Sequence, residues 1–417
     1  MRWLLVGYMW LYIHRPFEVW PWMGDYSIER VCMLVTIAAC LFSGKLSWPS
    51  NRLSWAFGAF FLILVTSWLL SSYSLMGQKV VEDYAKVATF FILLTSVLRD
   101  ERDLRFITAA FLICMALYMG HSLREYGNGR HEWRMGTARM VGVDKTYSDP
   151  NTFAASIVYS LPMLMPWWLD APTKRTRVLV LGYLGLAVTC ILLTGSRTAL
   201  AVTTTLGTLG MFGIARHKVR LALILVVVGL IAWSLLPEDR RMRFQTILDP
   251  SVGPANAQLS AENRQVFYRE AVKVWQANPV FGVGPGAFGD YMGHGQQAHT
   301  LYGQLIAETG TLGVLAFLAI ISGIYLNYGE AKRISKQRDP AESRFPHYVC
   351  LAVALTVPLL LAMGFGGHNA YRYTWLWYGA FQIIALQVLH APVSNPHTGN
   401  APESWLPPEV RRTGGSA

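Results

Sequence analysis

The chain has 417 residues, of which 53% are hydrophobic, 13% aromatic and only 15% charged. A soluble domain carries about a quarter charged residues, so this balance excludes an ordinary soluble globule and points to lipid. The formal net charge of +11 invites a nucleic-acid partner, an idea the placement of the charges removes.

Apolar runs long enough to cross about 30 Å of hydrocarbon recur from one end to the other. They predict an all-α polytopic membrane protein with about twelve transmembrane helices. The spans fall near 3–13, 28–43, 53–72, 80–98, 104–120, 151–169, 176–194, 198–214, 219–236, 311–328, 347–364 and 372–390. The first is short and runs into "HRPFE" with no small-residue cleavage site, the pattern of an uncleaved span. Trp and Tyr crowd the span ends ("WPW" 20–22, "WW" 167–168, "YTWLWY" 373–378), as an interfacial aromatic belt does. All five cysteines fall inside predicted spans. They read as buried free thiols, away from any loop where an oxidising compartment would pair them.

With the N-terminus placed in the cytoplasm, just over half of the 36 basic residues collect in short cytoplasmic segments. Arg99, Arg102, Arg105, Lys174, Arg175, Arg177, Lys332, Arg333 and Lys336 are among them. This is the positive-inside bias, and it accounts for the net charge without nucleic acid. Both termini are then cytoplasmic, and a single domain spans residues 1–390. The tail 391–417, with five prolines and no periodicity, is expected to be a disordered cytoplasmic end.

Most connections are short, but two on the outer side are long: 121–150 and, larger still, 237–298. Loops of that length in a compact protein are usually functional or disordered. Within the second, "ENRQVFYREAVKVWQANP" (262–279) predicts an amphipathic helix that stops at Asn278-Pro279. The glycine-rich "VFGVGPGAFGDYMGHGQQ" then reads as a turn region. Its "GVGPGAFG" lacks both the strand–loop–helix setting and the Lys-Ser/Thr pair of a phosphate loop. There is no internal repeat and no pair of matched interrupted helices, which weighs against the common transporter architectures.

A few polar residues stand out against this apolar background. "HTLYGQLIAETGTLG" (299–313) carries His299 at the end of the large loop. On one continuous helix His299, Gly303, Ile306, Gly310 and Gly313 share a face and Glu308 points the other way. The two make an acid–base couple only if the helix breaks near Gly310. An imidazole with an ordinary pKa of about 6.5 is largely free to accept a proton at neutral pH. Arg197, in "LLTGSRTALA", sits in a minimal outer turn where topology disfavours positive charge, and an arginine at membrane depth usually faces a cavity or a partner. Arg264 and Arg269 lie on the loop helix. Residues 237–298 hold equal numbers of basic and acidic residues, so an anion site there must come from a few guanidiniums placed geometrically. "GGHNAYRY" (366–373) adds His368, Asn369 and Arg372 on the same outer side. Glu82, Asp83 and Lys86 are spaced to pair among themselves on the fourth span. His294 and His299 lack the close carboxylate or cysteine ligands of a metal site, and the chain has no Asp-x-Asp pair. No metal or cofactor is therefore expected.

Taken together, these segments resemble the bacterial O-antigen ligase and polymerase superfamily. The ligase signature is a histidine, a small polar residue, nine residues, then glycine, two residues and another small residue. "HT-LYGQLIAET-GTLG" fits it from His299 to Gly313, with Thr300 in place of the more usual Asn, Ser or Gln. "NPVFGVGPGAFGDY", "ENRQVFYREAVKVW", "TGSRTAL" and "DPNTFAASIVYSLP" (149–162) resemble the family's glycine run, loop helix, membrane-end arginine and mid-chain span entry. The resemblance covers roughly residues 149–320, while the first five spans carry it by hydropathy alone.

The resemblance implies a multi-pass bacterial inner-membrane glycosyltransferase with a periplasmic active site, moving a glycan from undecaprenyl pyrophosphate to a hydroxyl of lipid A–core oligosaccharide. By analogy Arg197 and Arg264 hold the donor pyrophosphate and His299 orients or deprotonates the acceptor hydroxyl, with Arg269, His368 and Arg372 as further candidates. No carboxylate pair is available for double displacement, so single displacement with inversion is expected. A polymerase or a protein O-oligosaccharyltransferase of the same superfamily differs in acceptor. One dominant outer loop favours ligation over polymerisation. A lipid-linked glycan flippase would spread its charges along helix interiors, whereas here they gather at outer ends.

The topology is testable by membrane-impermeant thiol labelling. A cysteine at Ser251 should be modified from the periplasm and one at Ser335 spared; the reverse pattern would overturn the outer-side placement of the site.

Overall fold

The computed structural model describes residues 1–134, 137–144, 149–170, 173–214 and 256–392, with single positions between 219 and 245. The predicted span at 219–236, nearly all of 237–255 and the tail from 393 lie outside the described residues. Helices follow one another as α1 (Arg2–His14), α2 (Pro16–Val19), α3 (Pro21–Asp25), α4 (Ile28–Phe42), α5 (Arg52–Leu70), α6 (Ser74–Val97) and α7 (Glu101–Gly127). A short antiparallel hairpin, β1 (Glu132–Arg134) and β2 (Thr137–Arg139), precedes α8 (Pro150–Ser160), a 3-10 turn and α9 (Met165–Leu169). Then come α10 (Lys174–Thr194), α11 (Arg197–Ile214), α12 (Asn256–Ala277), α13 (Phe288–Tyr291), α14 (Leu301–Ser335), α15 (Pro340–Gly364) and α16 (Tyr373–His390).

Each predicted span that falls on described residues is helical, and six helices are long and apolar enough to cross a membrane. The protein is therefore a mostly helical membrane protein. The hairpin departs from the all-α expectation. It lies in the 121–150 loop, where β1 pairs Glu132 with Arg139 and Arg134 with Thr137. Helix α10 turns Val178, Leu179 and Leu181 outward and exposed, as a helix facing lipid does. The cysteines are free thiols, four of them buried. Lys86 pairs with Asp83 at 3.0 Å and Glu82 accepts from Gln78, so this charged trio is structural.

The two ends of the bundle are knitted separately. At one end Arg2 bridges Asp100 and Asp103, Arg105 reaches Glu101 and Asp170, and Glu330 takes both Arg52 and His390. These joined loops are those predicted to be cytoplasmic. At the opposite end the first turn of α14, the α10–α11 turn, the start of α8 and the α15–α16 connection gather.

Helix α14 is central, packing on α5, α12, α15 and α16. It begins ten residues before the predicted span and is not continuous. Gly310 has φ 63° and ψ −163°, so the helix breaks there into two segments. A break in a membrane leaves carbonyls without partners, each costing several kcal/mol unless replaced. The glycine-rich segment replaces them. Val283 N–H donates to Ala307 O at 2.9 Å and Gly284 N–H to Glu308 O at 3.2 Å. Thr311 and Leu312 N–H, just past the break, donate to Pro279 O and Val280 O. Ser67 Oγ of α5 lies 2.7 Å from Phe281 O and 2.8 Å from Glu308 O, and Ser71 Oγ donates to Val283 O at 2.6 Å. The segment is a turn region, as expected, with left-handed backbone at Gly282, Gly284 and Gly286. It is also the partner of a broken helix, which hydropathy did not reveal.

Glycine is needed where the two backbones meet. A Cβ on Gly282 would fall 2.5 Å from Ala307 O, and one on Gly310 2.5 Å from Val280 O. Gly293 is also left-handed but meets nothing within 4 Å. Alanine at Gly293 should therefore cost about 1–2 kcal/mol for its backbone alone. Alanine at Gly282 should lower the melting temperature in detergent further, or block accumulation. Equal melting temperatures for the two variants would refute the close approach.

Candidate active site

The start of α14 is built by a local capping device. Thr300 has extended backbone and its Oγ1 accepts from Gly303 N–H at 3.0 Å, capping the helix. His299 therefore stands before the helix, not on it, with φ 51° in the left-handed region. This corrects the expectation that His299 shares a helical face with Gly303, Ile306, Gly310 and Gly313. Left-handed backbone at a non-glycine residue is uncommon and collects at functional sites. The turn leaves His299 exposed, its ring edge-to-face with Phe267 at 5.4 Å and 6.4 Å from the His368 ring.

Phe267 comes from α12, the predicted loop helix, which stops at Ala277 just before Asn278-Pro279. Ala271 and Val274 bury the same stripe against the glycine-rich segment. The backbone register carries position 264 on this stripe, one turn before Phe267; the Arg264 side chain lies outside the described residues. Arg269, two residues past Phe267 and so about 200° around the helix, is exposed on the far face. It does not join the group. His294 is not shared with His299: it sits 3.4 Å from Glu270 and accepts from Gln296 N–H. Among the described residues no three His, Cys, Asp or Glu side chains cluster as metal ligands.

A polar cleft opens beside His299. Its walls come from the start of α8 (Asn151, Thr152), from Ser196 and Thr198, which flank Arg197, and from the α15–α16 connection (His368, Asn369, Arg372). Asp149 caps α8 by accepting Thr152 N–H at 2.8 Å. α10 ends in left-handed Gly195 (φ 60°), so the chain reverses in two residues and α11 starts at half-buried Arg197. This is the tight outer turn the sequence predicts. Arg372 reaches Ser156 Oγ at 3.4 Å. His368 keeps an open edge, yet desolvation, then the Arg372 guanidinium and His299, hold its imidazole below the ordinary histidine range against a smaller opposing pull from Asp149. It is neutral near pH 7, which leaves the cationic charge of the cleft to arginine.

Glu308 does not touch His299. It is buried, its carboxylate accepting from Gly286 N–H at 2.9 Å and from Tyr371 Oη–H at 2.9 Å. One turn earlier Gln304 Oε1 accepts Ala370 N–H at 3.2 Å. Asn369 donates to Tyr159 Oη and Leu360 O, both at 2.8 Å. The connection bearing His368 and Arg372 is thus moored at Ala370 and Tyr371 to the first segment of α14, the segment that carries His299. Sequence spacing did not show this role for Gln304, Glu308 and Tyr371. A buried glutamate four residues after a buried glutamine, in an otherwise apolar helix, is the trace it leaves.

Fold and cleft define a class: a helical membrane protein with a polar, arginine- and histidine-bearing cleft at one end of the bundle. A family model described as O-antigen ligase matches residues 182–318, about a third of the chain. That stretch contains the Arg197 turn, the Arg264 helix, the glycine-rich segment and the His299 motif. Over residues 182–318 the chain is therefore similar to the O-antigen ligase family. None of the curated proteins matches the chain.

Proposed function

We propose that the protein is an O-antigen ligase of the bacterial inner membrane. On this reading it takes a glycan from undecaprenyl pyrophosphate and transfers it, on the periplasmic side, to a hydroxyl of lipid A–core oligosaccharide. The observation that carries the reading is the placement of His299. It is held in a left-handed turn with its ring 6.4 Å from that of His368, which lines a cleft walled by the Arg197 turn and Arg372.

The chemistry follows from the groups available. The leaving pyrophosphate departs readily once its negative charge is neutralised, and guanidiniums do this with paired, directional hydrogen bonds. Arg197 and Arg264 are assigned that role, with Arg372 as a third ligand within reach of the cleft. His299 takes the proton of the acceptor hydroxyl as general base. His368, neutral beside it, leaves His299 free to become cationic as the proton arrives. Asp149 is engaged in capping α8, so no pair of carboxylates serves a double displacement, and the anomeric configuration inverts. The outer-side placement expected from the charge bias agrees with this assignment, because a lipid-borne phosphate and a water-soluble sugar meet only at the membrane surface.

The test combines deletion with point variants. Deletion should abolish the lipopolysaccharide ladder on gels while lipid-linked polymer accumulates; short single units on core would instead mark a polymerase. His299→Ala should abolish transfer while the protein still accumulates, and Glu308→Gln should cost much less. Arg197→Lys and Arg264→Lys should each lose most activity although charge is kept. A charge-assisted contact of about 1.5–3 kcal/mol corresponds to roughly ten- to more than hundredfold in rate. Near wild-type transfer by purified His299→Ala would remove the general-base role.

A further inference from the structure

Arg139 is the one arginine among the largest fully buried side chains of the described residues, with 1% of its surface exposed. It belongs to no charged motif in the sequence, and the reaction as outlined does not use it. A buried guanidinium is costly unless its donors are well placed. Arg139 Nε donates to Thr194 O at 2.6 Å, and Nη2 donates to Asn151 Oδ1 at 2.9 Å. Beside it, Met140 N–H donates to Leu193 O at 3.0 Å.

These contacts fall on the last turn of α10. Three consecutive carbonyls there would have no partner within the helix. Leu192 O is taken by Gly195 N–H, Leu193 O by Met140 and Thr194 O by Arg139. A cation at a helix C-terminus is also favoured by the helix dipole. The next residues are Gly195, Ser196 and Arg197, so the hairpin strand grips the turn that presents Arg197. The far end of the same guanidinium holds Asn151, in the first turn of α8 and in the opposite wall of the cleft. One side chain thus ties the long 121–150 loop, the α10–α11 turn and the start of α8 together.

We propose that Arg139 is a positioning residue for donor binding: it sets the place of Arg197 relative to the α8 wall without touching the substrate. The proposal rests on the reading of Arg197 as a ligand of the donor pyrophosphate. Lysine keeps the charge at this position but cannot span Thr194 O and Asn151 Oδ1 with one planar fork.

The experiment measures initial rates with purified, reconstituted enzyme, titrating the lipid-linked donor at fixed acceptor and the acceptor at fixed donor. Arg139→Lys and Arg139→Met should lower kcat/KM for the donor by about tenfold or more, chiefly by raising the donor KM, and leave the acceptor KM in place. In an Arg197→Ala background Arg139→Met should add less than about twofold, because the two residues act as one unit. Should the Arg139 variants fail to accumulate, Asn151→Ala removes only the far end of the tie and should likewise raise the donor KM in the wild-type but not the Arg197→Ala background. A donor KM unchanged in these variants, or the same fold-loss with and without Arg197, overturns the proposal. If Arg197→Ala itself binds and uses donor normally, the donor-site reading fails as well, and that result is separable because it needs no Arg139 variant.

Discussion

The interrupted helix α14 is the constraint on which the rest of the cleft-bearing end of the bundle depends. A backbone break in lipid persists only if its freed polar groups find partners in protein. Here they find them in the segment between Pro279 and Gly284, stitched further by two α5 serines. The exchange does two things at once. It fixes the end of the large loop against the helix bundle, and it ends the first α14 segment at Gly310, at the start of the predicted lipid-crossing stretch. That short first segment carries His299 ahead of its cap and moors the α15–α16 connection through Gln304 and Glu308. Three glycines appear where they do because side chains there would collide with a neighbouring backbone or force a left-handed φ.

The cleft shows a division of labour between rigid and irregular parts. Arg197 opens a helix directly after a two-residue turn, so its backbone has little freedom. His299 and His368 sit on irregular chain, but each is held close to a capped or hydrogen-bonded anchor: Thr300 beside His299, Asn369 and Ala370 beside His368. Polar residues at such depth are expensive and usually functional. The buried Arg139 extends the pattern one layer outward, from the groups that line the cleft to the groups that hold its walls.

Much of this was readable from residues alone, and what was not has a physical cause. The spans at 53–72, 176–194 and 347–364 coincide closely with α5, α10 and α15 because hydropathy reports length in lipid directly. The amphipathic helix ending at Asn278-Pro279 and the tight Arg197 turn were also legible, the first from periodicity and the second from Gly195 between two apolar runs. The Gly310 break was not, because both halves of α14 are apolar and hydropathy ignores backbone dihedrals. Spacing alone places His299 on the helix, whereas Thr300, a capping residue, marks the helix as starting after it. Arg269 was grouped with Arg264 by sequence proximity, whereas helical phase separates them. The β-hairpin and its Arg139 escaped because three-residue strands leave almost no alternation to detect, and a lone loop arginine normally reads as solvated surface.

The proposed reaction is glycosyl transfer by a single displacement that relies on arginine and histidine side chains and no metal. The direct measurement is transfer by purified enzyme in EDTA, from a lipid-linked donor of known anomeric configuration, with the linkage of the product read by NMR. Undiminished transfer and an inverted anomeric centre are expected. Activity that vanishes with chelator and returns with a divalent cation, or a product of retained configuration, would contradict it.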